Sequence, residues 1–538
     1  MAWEKLAEEI PPEERTSWVE QLLRIIQQQQ EEIRALRDEI DRLKGETTRP
    51  SMRPKVRSSS LEDERPPSKR SRKKRKGKRP GSAKRKKTGQ LRIDEDIVLR
   101  PHDLPPGATL LGYQDFTVQD VVFRSYHVRY RRARYRLPDD ALVTASLPSD
   151  VQGHFGPTLR GLVVYQHIQN HVTQPLIHEE LLELGVDISA GQVNRLLTEG
   201  HDAFHDEKDQ LLPVGLAVSA YVHTDDTGAR HAGHNGYTTH VGNEWFASFT
   251  TSDTKSRVNF LKILLSPSCE YMLDGDTLFF AGCYGLASCW QQRIKTTIAD
   301  GRHTFVDEAA WQTWLDAAQI NSPTARRILT ESALLASLLH YEVLEDLVLV
   351  SDDAPPFEVL GLLHALCWVH AERWINKLVP LSTRQRHAQQ QVQDEFWKYY
   401  QQLKAYRQQP TTRKRKRLER EFDRLFTQRT GFVELNEVLL RIHGRREAML
   451  VVLERPEIPL QNNLSERDIR DYVKKRKISS GTRSLLGRRC RDTFLSLKKT
   501  CRKLGISFWR YLQDRFRGEH AIPPLPDLIR AAASAVTA

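Results

Sequence analysis

Between Leu216 and Val222 the chain reads LAVSAYV, a run of small and β-branched residues that predicts a buried strand. It leads into Asp225 and Asp226, followed by Thr227, Gly228 and an arginine at 230. A carboxylate leaving a buried strand is costly unless partnered, and a divalent metal is the strongest partner available. The competing reading is that Asp225 opens a turn at Thr227-Gly228. The pattern recurs: Leu344–Val350 (LEDLVLV) predicts a second buried strand, which after Ser351 also ends in carboxylates, Asp352 and Asp353. Between the two, Tyr237–Thr250 predicts a hairpin turning at Gly242-Asn243-Glu244, and a helix-rich stretch follows to about Glu342.

Helical spacing governs most of the rest. Residues 14–45 place Val19, Leu22, Ile26, Gln29, Ile33, Leu36, Ile40 and Leu43 at alternating three- and four-residue steps. This predicts a parallel two-stranded coiled coil with Gln29 as register mark, a lone amphipathic helix being the alternative. Within a helical stretch 158–200, Leu176–Leu184, a turn at Gly185–Ile188 and a second helix capped by Ser189 have helix-turn-helix proportions. The second helix would present Gln192 and Arg195 to a groove, an outline shared by plain helical hairpins. Leu362–Leu378 predicts one helix burying Leu363, Leu366, Trp374 and Leu378, and 385–450 predicts long polar helices, an insertion with a basic patch at Arg413–Arg417. Over Ile97–Pro138, tyrosines and valines partly alternating with arginines predict a small antiparallel sheet with a basic outer face.

Charge changes this picture in two places. The net charge is +13, yet Lys69–Lys87 alone holds 13 Lys/Arg and no acid, leaving 69 basic against 69 acidic residues elsewhere. Such a run cannot bury a core and attracts polyphosphate, or serves as a solvated linker or nuclear-import signal. The second place is Asn462–Lys503, which from Glu466 onward carries 14 Lys/Arg against 4 acids. Near the start of that helix Glu466 would sit at N3, where capping is the plain role. Arg470 and Lys474 follow it at four-residue steps, and the Gly481–Gly487 loop would let backbone amides approach a DNA strand.

Six cysteines show no CxxC pairing, so neither a zinc ribbon nor a disulfide framework is indicated, and Cys367 with His370 is too small a set for zinc. No apolar run reaches the ~18 residues of a membrane span and the first residues do not read as a signal peptide, which predicts a soluble intracellular chain without a membrane partner.

Taken together, VHTDDTGAR, HNGYTTHVGNEWFASF, LVLVSDDAPPFEVL, LCWVHAERW and NNLSERDIRDYVKKRKISSGTRSLLGRRCRDTFLSLKKTCRKLGISFWRYL resemble the transposases of the insertion sequence 66 family, from about residue 100 to 517. The resemblance implies an α/β fold: an RNase H-like catalytic core with helical insertions, an N-terminal coiled coil and a helical DNA-binding region. It implies an Asp-Asp-Glu triad at Asp225, Asp352 and Glu466. The corresponding division is a coiled-coil helix at 1–45, a disordered basic linker at 46–91, a small β-rich module at 92–150 and a helix-turn-helix-like region at 151–213. The core begins at 214–380 with an insertion at 270–342, continues past a helical insertion at 381–458 into the Glu helix and basic segment at 459–517, and leaves a tail at 518–538. Three departures stand out: no cysteine between Leu91 and Leu182 where members carry a zinc finger, Asp225-Asp226 in place of Asp-Glu, and a long span from Asp225 to Asp352.

The implied chemistry is in-line displacement at phosphorus, which two Mg²⁺ ions roughly 4 Å apart can support, Mn²⁺ being able to substitute. Asp225 would bridge both ions, Asp352 hold one and Glu466 the other. Arg470, Lys474 and Lys475, continued by Arg476, Lys477, Arg483 and Arg488, would neutralise DNA phosphates, with His370 and Arg373 behind the acids. Expected partners are double-stranded DNA as transposon ends and target, a second copy through the coiled coil, and helper proteins encoded beside the element. The expected setting is the bacterial cytoplasm, at the nucleoid. Two rival readings are a DNA-binding regulator with an inactive core and an RNase H-type nuclease without strand transfer.

Overall fold

The computed structural model describes residues 93–538 apart from 101–107, 109, 112, 115, 149–152, 344–345 and 538. The coiled-coil heptads and the basic run Lys69–Lys87 therefore lie outside the described residues. The chain divides into Met1–Gln119 and Asp120–Ala538. In the first unit the described residues carry neither helix nor strand.

The second unit opens with a correction. Of the small sheet predicted over Ile97–Pro138, only the hairpin of β1 (Arg134–Arg136) and β2 (Leu142–Thr144) is present among the described residues. Val121, Phe123 and Tyr126 upstream of it are exposed. Alternation makes a sheet only where another segment supplies the ladder, and here none does.

Four helices follow: α1 (Pro157–Ile168), α2 (Gln174–Glu183), α3 (Ala190–Thr198) and α4 (Asp202–Ala217). The hydroxyl of Ser189 accepts from Gln192 N and starts α3 where predicted, a cap worth about 1 kcal/mol. Leu216 closes α4 and does not begin a strand. The central strand is β3 (Tyr221–His231), and it passes straight through Asp225 and Asp226. Its ladder with β4 (His234–Gly242) is unbroken from His223↔Gly242 to His231↔His234, so the backbone stays extended past the predicted turn. The chain reverses instead at Ala232-Gly233, both at positive φ, as a two-residue hairpin loop requires. Next, β5 (Ala247–Ser252) adds to β4 through the predicted second hairpin.

The stretch predicted as helix-rich holds α5 (Arg257–Leu265), β6 (Tyr271–Leu273), α6 (Gly275–Cys283), α7 (Ser288–Thr297), β7 (His303–Phe305), α8 (Glu308–Ala317) and α9 (Pro323–His340). A stack of Tyr271, Trp311 and Trp314 and α9, buried throughout Ile328–Leu338, join it to the main core. Then β8 (Val348–Ser351) pairs in parallel with β3, and β9 (Leu363–Leu366) in parallel with β8. The five-stranded sheet runs β5-β4-β3-β8-β9, three antiparallel strands continued by two parallel ones.

The single helix predicted over Leu362–Leu378 is thus a strand and a helix, because β8 takes up the backbone of Leu363–Leu366 before α10 (Trp368–Asn376) begins. Leu363 is exposed as a result. Trp368 is buried and anchors a separate aromatic core formed by α11 (Thr383–Gln408), α12 (Thr412–Thr427), α13 (Val433–Gly444) and α14 (Arg446–Leu450). The chain returns to the sheet with α15 (Asn463–Ser479), α16 (Leu485–Lys503), α17 (Phe508–Arg517) and α18 (Leu525–Thr537). No helix among the described residues is long and apolar enough to cross a membrane.

Candidate active site

The parallel register aligns Tyr221, Val222 and His223 with Val348, Leu349 and Val350. Counted on two residues, it brings Asp225 level with Asp352, which follows β8 directly. Adjacent strands lie ~4.8 Å apart, so the two acids come level just past the point where the parallel pairing stops, close to the usual place for a site in an open sheet. On the other side β4 places His240 opposite Asp225.

That histidine docks the third segment. Its Nδ1 lies 2.6 Å from Ser465 Oγ and its Nε2 3.2 Å from Asp468 Oδ2, both on the first turns of α15. Asn462, fully buried just before the helix, binds three segments at once. Its side-chain amide donates to Thr224 O at 2.7 Å, its Oδ1 lies 2.9 Å from His223 Nδ1, and its backbone N–H reaches Cys367 Sγ at 3.2 Å. The strand bearing Asp225, the junction leading into α10 and the helix bearing Glu466 are thereby clamped together. Glu466 does not cap its helix. Its Oε1 accepts from Arg373 Nη2 at 3.1 Å and lies 3.5 Å from His370 Nε2, and Arg373 Nη1 also reaches His370 Nε2 at 2.9 Å.

The acidic pairs, indistinguishable as sequence, separate by their partners. Asp226 pairs with Lys255 at 3.0 Å and accepts from Thr239, while Asp353 is held by Arg441 and Arg445 at 3.1 and 3.0 Å. Asp225 and Asp352 form no ion pair among the described residues. Asp225 accepts one backbone N–H, that of Asp226, at 2.8 Å. Burial pushes its carboxyl up to about 7, repulsion from Asp352, Asp226 and Glu466 adding to the effect and that N–H opposing it. Asp352 Oδ1 and His370 Nδ1 are buried without a hydrogen-bond partner. Among the described residues no three His, Cys, Asp or Glu side chains are drawn close enough together to grip a metal ion. The donor chemistry nevertheless suits one: hard carboxylate oxygens, an unpartnered buried oxygen, and negative charge lacking a counterion match Mg²⁺, which keeps most of its own waters.

The expected phosphate-facing cations divide. Arg470, Lys474, Lys477 and Arg483 are exposed. Arg476 lies against Gly228, where a Cβ would come within 3.1 Å of its Nη1, and Arg488 pairs with Asp253 at 2.8 Å. Lys475 is a correction: it is fully buried, donating to His167 O at 2.6 Å with His167 Nδ1 at 3.0 Å. Burial, with Arg491 and Lys498 nearby, lowers its ammonium to about 7, so it faces α1 and not a ligand. Gln192 and Arg195 stand on the outer side of α3, bonded to each other at 2.9 and 2.6 Å.

Asn462, His240, Ser465 and Cys367 had not been singled out. The available signal was polar interruption of apolar runs, at His223 and His240 in the strands and Asn462-Asn463 before the Glu helix.

Residues 335–489, which contain Asp352, His370, Arg373 and Glu466, match the profile of the Transposase IS66 family. An uncharacterized protein, y4jO, of Sinorhizobium fredii (strain NBRC 101917 / NGR234) is 40% identical over 326 residues, 60% of this chain and all of that relative. No solved structure matches.

Proposed function

The chain belongs to the IS66 family of transposases, and from that premise we propose that it cuts DNA at the ends of a mobile element and joins the freed 3′-hydroxyls to target DNA. Asp225, Asp352 and Glu466 are its catalytic acids. The observation that carries this reading is the asymmetry of the two aspartate pairs: the unpaired member of each lies just past the point where the parallel pairing of β3 with β8 stops, with Glu466 clamped to that place by Asn462 and His240. A strand order of three antiparallel and two parallel strands supports an RNase H-like core. A protein that only bound DNA would gain nothing by directing uncompensated carboxylates at phosphate.

Mg²⁺ held by Asp225, Asp352 and Glu466 would supply Lewis-acid stabilisation of the phosphate oxygens and a more acidic attacking hydroxyl. The chain's own residues do the rest. Asn462 and the His240–Ser465 contact fix α15 against β3 and so set the distance between the acids. Arg373 orients Glu466 through its guanidinium and brings a positive charge to where a phosphate would lie. Arg470, Lys474, Lys477 and Arg483 neutralise flanking phosphates, while Gln192 and Arg195 on α3 read the ends. In cutting, the oxygen of water, and in joining, that of the freed 3′-hydroxyl, bonds to phosphorus as the P–O3′ bond breaks, and the proton the nucleophile gives up is balanced by the one the departing oxygen takes on to leave as a 3′-hydroxyl. The segment 14–45 pairs two copies, and Lys69–Lys87 adds sequence-independent affinity.

The test is cleavage of end-labelled DNA carrying the element termini. Asp225→Asn and Glu466→Gln each lower the cleavage rate by about 10³-fold or more with end affinity within about twofold, in line with loss of a group acting only in the transition state. Cleavage at the parent's rate by either variant would remove that residue from the triad.

A further inference from the structure

Away from the acids, a groove of about 820 Å³ opens between the helices α1 to α3 and the loop joining α15 to α16. Its charge is one-sided. Arg230, Arg483 and Arg491 line it, no Asp or Glu does, and among the described residues none of the three arginines pairs with a carboxylate. Arg491 is nearly buried and spends one N–H on Ser480 O at 3.1 Å. Of the three only Arg491 is buried, Arg230 and Arg483 being exposed, and a buried cation with no acid beside it carries a desolvation cost that an anionic ligand offsets. The same lining includes Ile168, Leu197, Ile478 and Phe494, of which Ile478 is exposed and the other three are almost fully covered.

The loop is built onto the strand that carries Asp225. Thr482 N donates to Arg230 O at 2.9 Å, Ala232 N donates to Thr482 O at 2.8 Å, and His231 Nδ1 lies 2.9 Å from Thr482 Oγ1. Gly481 permits this, since a Cβ there would stand 2.3 Å from Arg230 O. Ser480 beside it holds a left-handed φ of 56°, a conformation that serine rarely adopts and that the anchored loop enforces. Arg230 lies five residues past Asp225 on β3, ~17 Å along the strand. That equals about five base-pair rises of 3.4 Å in duplex DNA.

We propose that this groove takes a short stretch of one DNA strand, with phosphates on Arg230, Arg483 and Arg491 and a base over the exposed Ile478. The proposal rests on the transposase reading and deepens it, by assigning the separated strand of the cut end to a site distinct from the acids. The volume lies within the ~300–1,000 Å³ that accommodates a drug-sized ligand, which corresponds to one or two nucleotides. A paired duplex keeps its bases stacked inside it and could offer the groove only its backbone. Cations that follow the backbone beside a surface open to a base are also how sequence-tolerant single-strand sites are made.

The experiment is photocrosslinking of the full chain, without added metal, to a ten-nucleotide oligodeoxythymidylate containing 4-thiothymidine, with the linked peptides mapped by mass spectrometry. Links are expected between Ile478 and Arg491 and on α1 or α3. Asn194→Trp, an exposed α3 position on the groove, blocks the space without removing charge and lowers those links about tenfold, while links to the Lys69–Lys87 segment stay constant. Arg230→Ala with Arg483→Ala lowers them comparably and reduces the salt slope of binding by about 1.4. Groove links unaffected by Asn194→Trp, links only outside the groove, equal linking by a duplex of the same length, or full competition by free thymidine triphosphate would each overturn the proposal. Because no metal is added, an enzyme that fails to cut can still satisfy this test, and one that cuts can fail it.

Discussion

Where the parallel pairing of β3 with β8 stops, Asp225 and Asp352 stand without counterions among the described residues. Between α15 and α16, acids and lysines interlock. Asp468 meets Lys503 at 2.8 Å and Lys499 at 3.4 Å, and Asp471 meets Lys499 at 3.0 Å and Lys498 at 3.4 Å, all of them largely buried. Burial works to raise Asp468, but the contact with His240 and the two ammoniums outweigh it and hold the carboxyl well below its usual range. At Asp225 burial meets only further negative charge and a single N–H, and the carboxyl is pushed up. Both regions bury charge, but only one balances it. The balanced region is scaffold, and the unbalanced one is where a cationic cofactor and a reacting phosphate have something to gain.

The largest expected effect comes from the residue that joins the two regions. Asn462→Ala leaves His223, Thr224 O and the α15 junction without their shared partner, and at about 1–3 kcal/mol per orphaned buried group the loss of stability is on the order of 2–5 kcal/mol. Urea unfolding measures it, and cleavage by the folded variant should fall far more than DNA affinity. Unchanged stability would mean that the clamp does not set the spacing of the acids.

A smaller effect tests the balanced side. Burial holds the Lys475 ammonium near 7 in the fold against about 10.4 in the unfolded chain, so the unfolded state binds the extra proton between those values. The parent therefore loses stability as pH falls from about 10.5 toward 7, and Lys475→Met, which cannot titrate, does not. The difference in melting temperature should move in favour of the variant over that range, with DNA affinity unchanged. A drop in affinity with a salt-dependent slope would return Lys475 to the phosphate-binding set.

Smallest is the surface. Arg470→Ala with Lys474→Ala removes two exposed cations and should lower the slope of log affinity against log salt by about 1.8, without changing melting by more than about 1 kcal/mol. An unchanged slope would take both residues out of the DNA interface.

The legible parts of the sequence were those with local causes. Ser189 marked the start of α3, LVLV marked β8, and Gly242-Asn243-Glu244 marked the second hairpin. The failures were non-local. Asp225 looked like the end of a strand because the pairing with His240 that carries β3 on to His231 comes from a later segment. Leu363–Leu366 looked helical because β8, which claims its backbone, lies at Val348–Ser351. The count of 14 cations against 4 acids after Glu466 read as a DNA-facing surface, but Lys475, Lys498, Lys499 and Lys503 point inward, and only packing could show that. Within the site, Asp225 and Asp352 were legible as acids following apolar strand runs. Which member of each pair was spoken for was not, because Lys255, Arg441 and Arg445 come from other elements.

The central claim is tested most directly at Asp352, whose Oδ1 lies buried without a partner. The measurement is strand transfer of pre-cut element ends into a target plasmid by Asp352→Asn, alongside the dissociation constant for the same ends. Joined product should fall by about 10³-fold or more with the dissociation constant within about twofold of the parent. Joining at the parent's rate, or a loss fully explained by weaker binding, would contradict it.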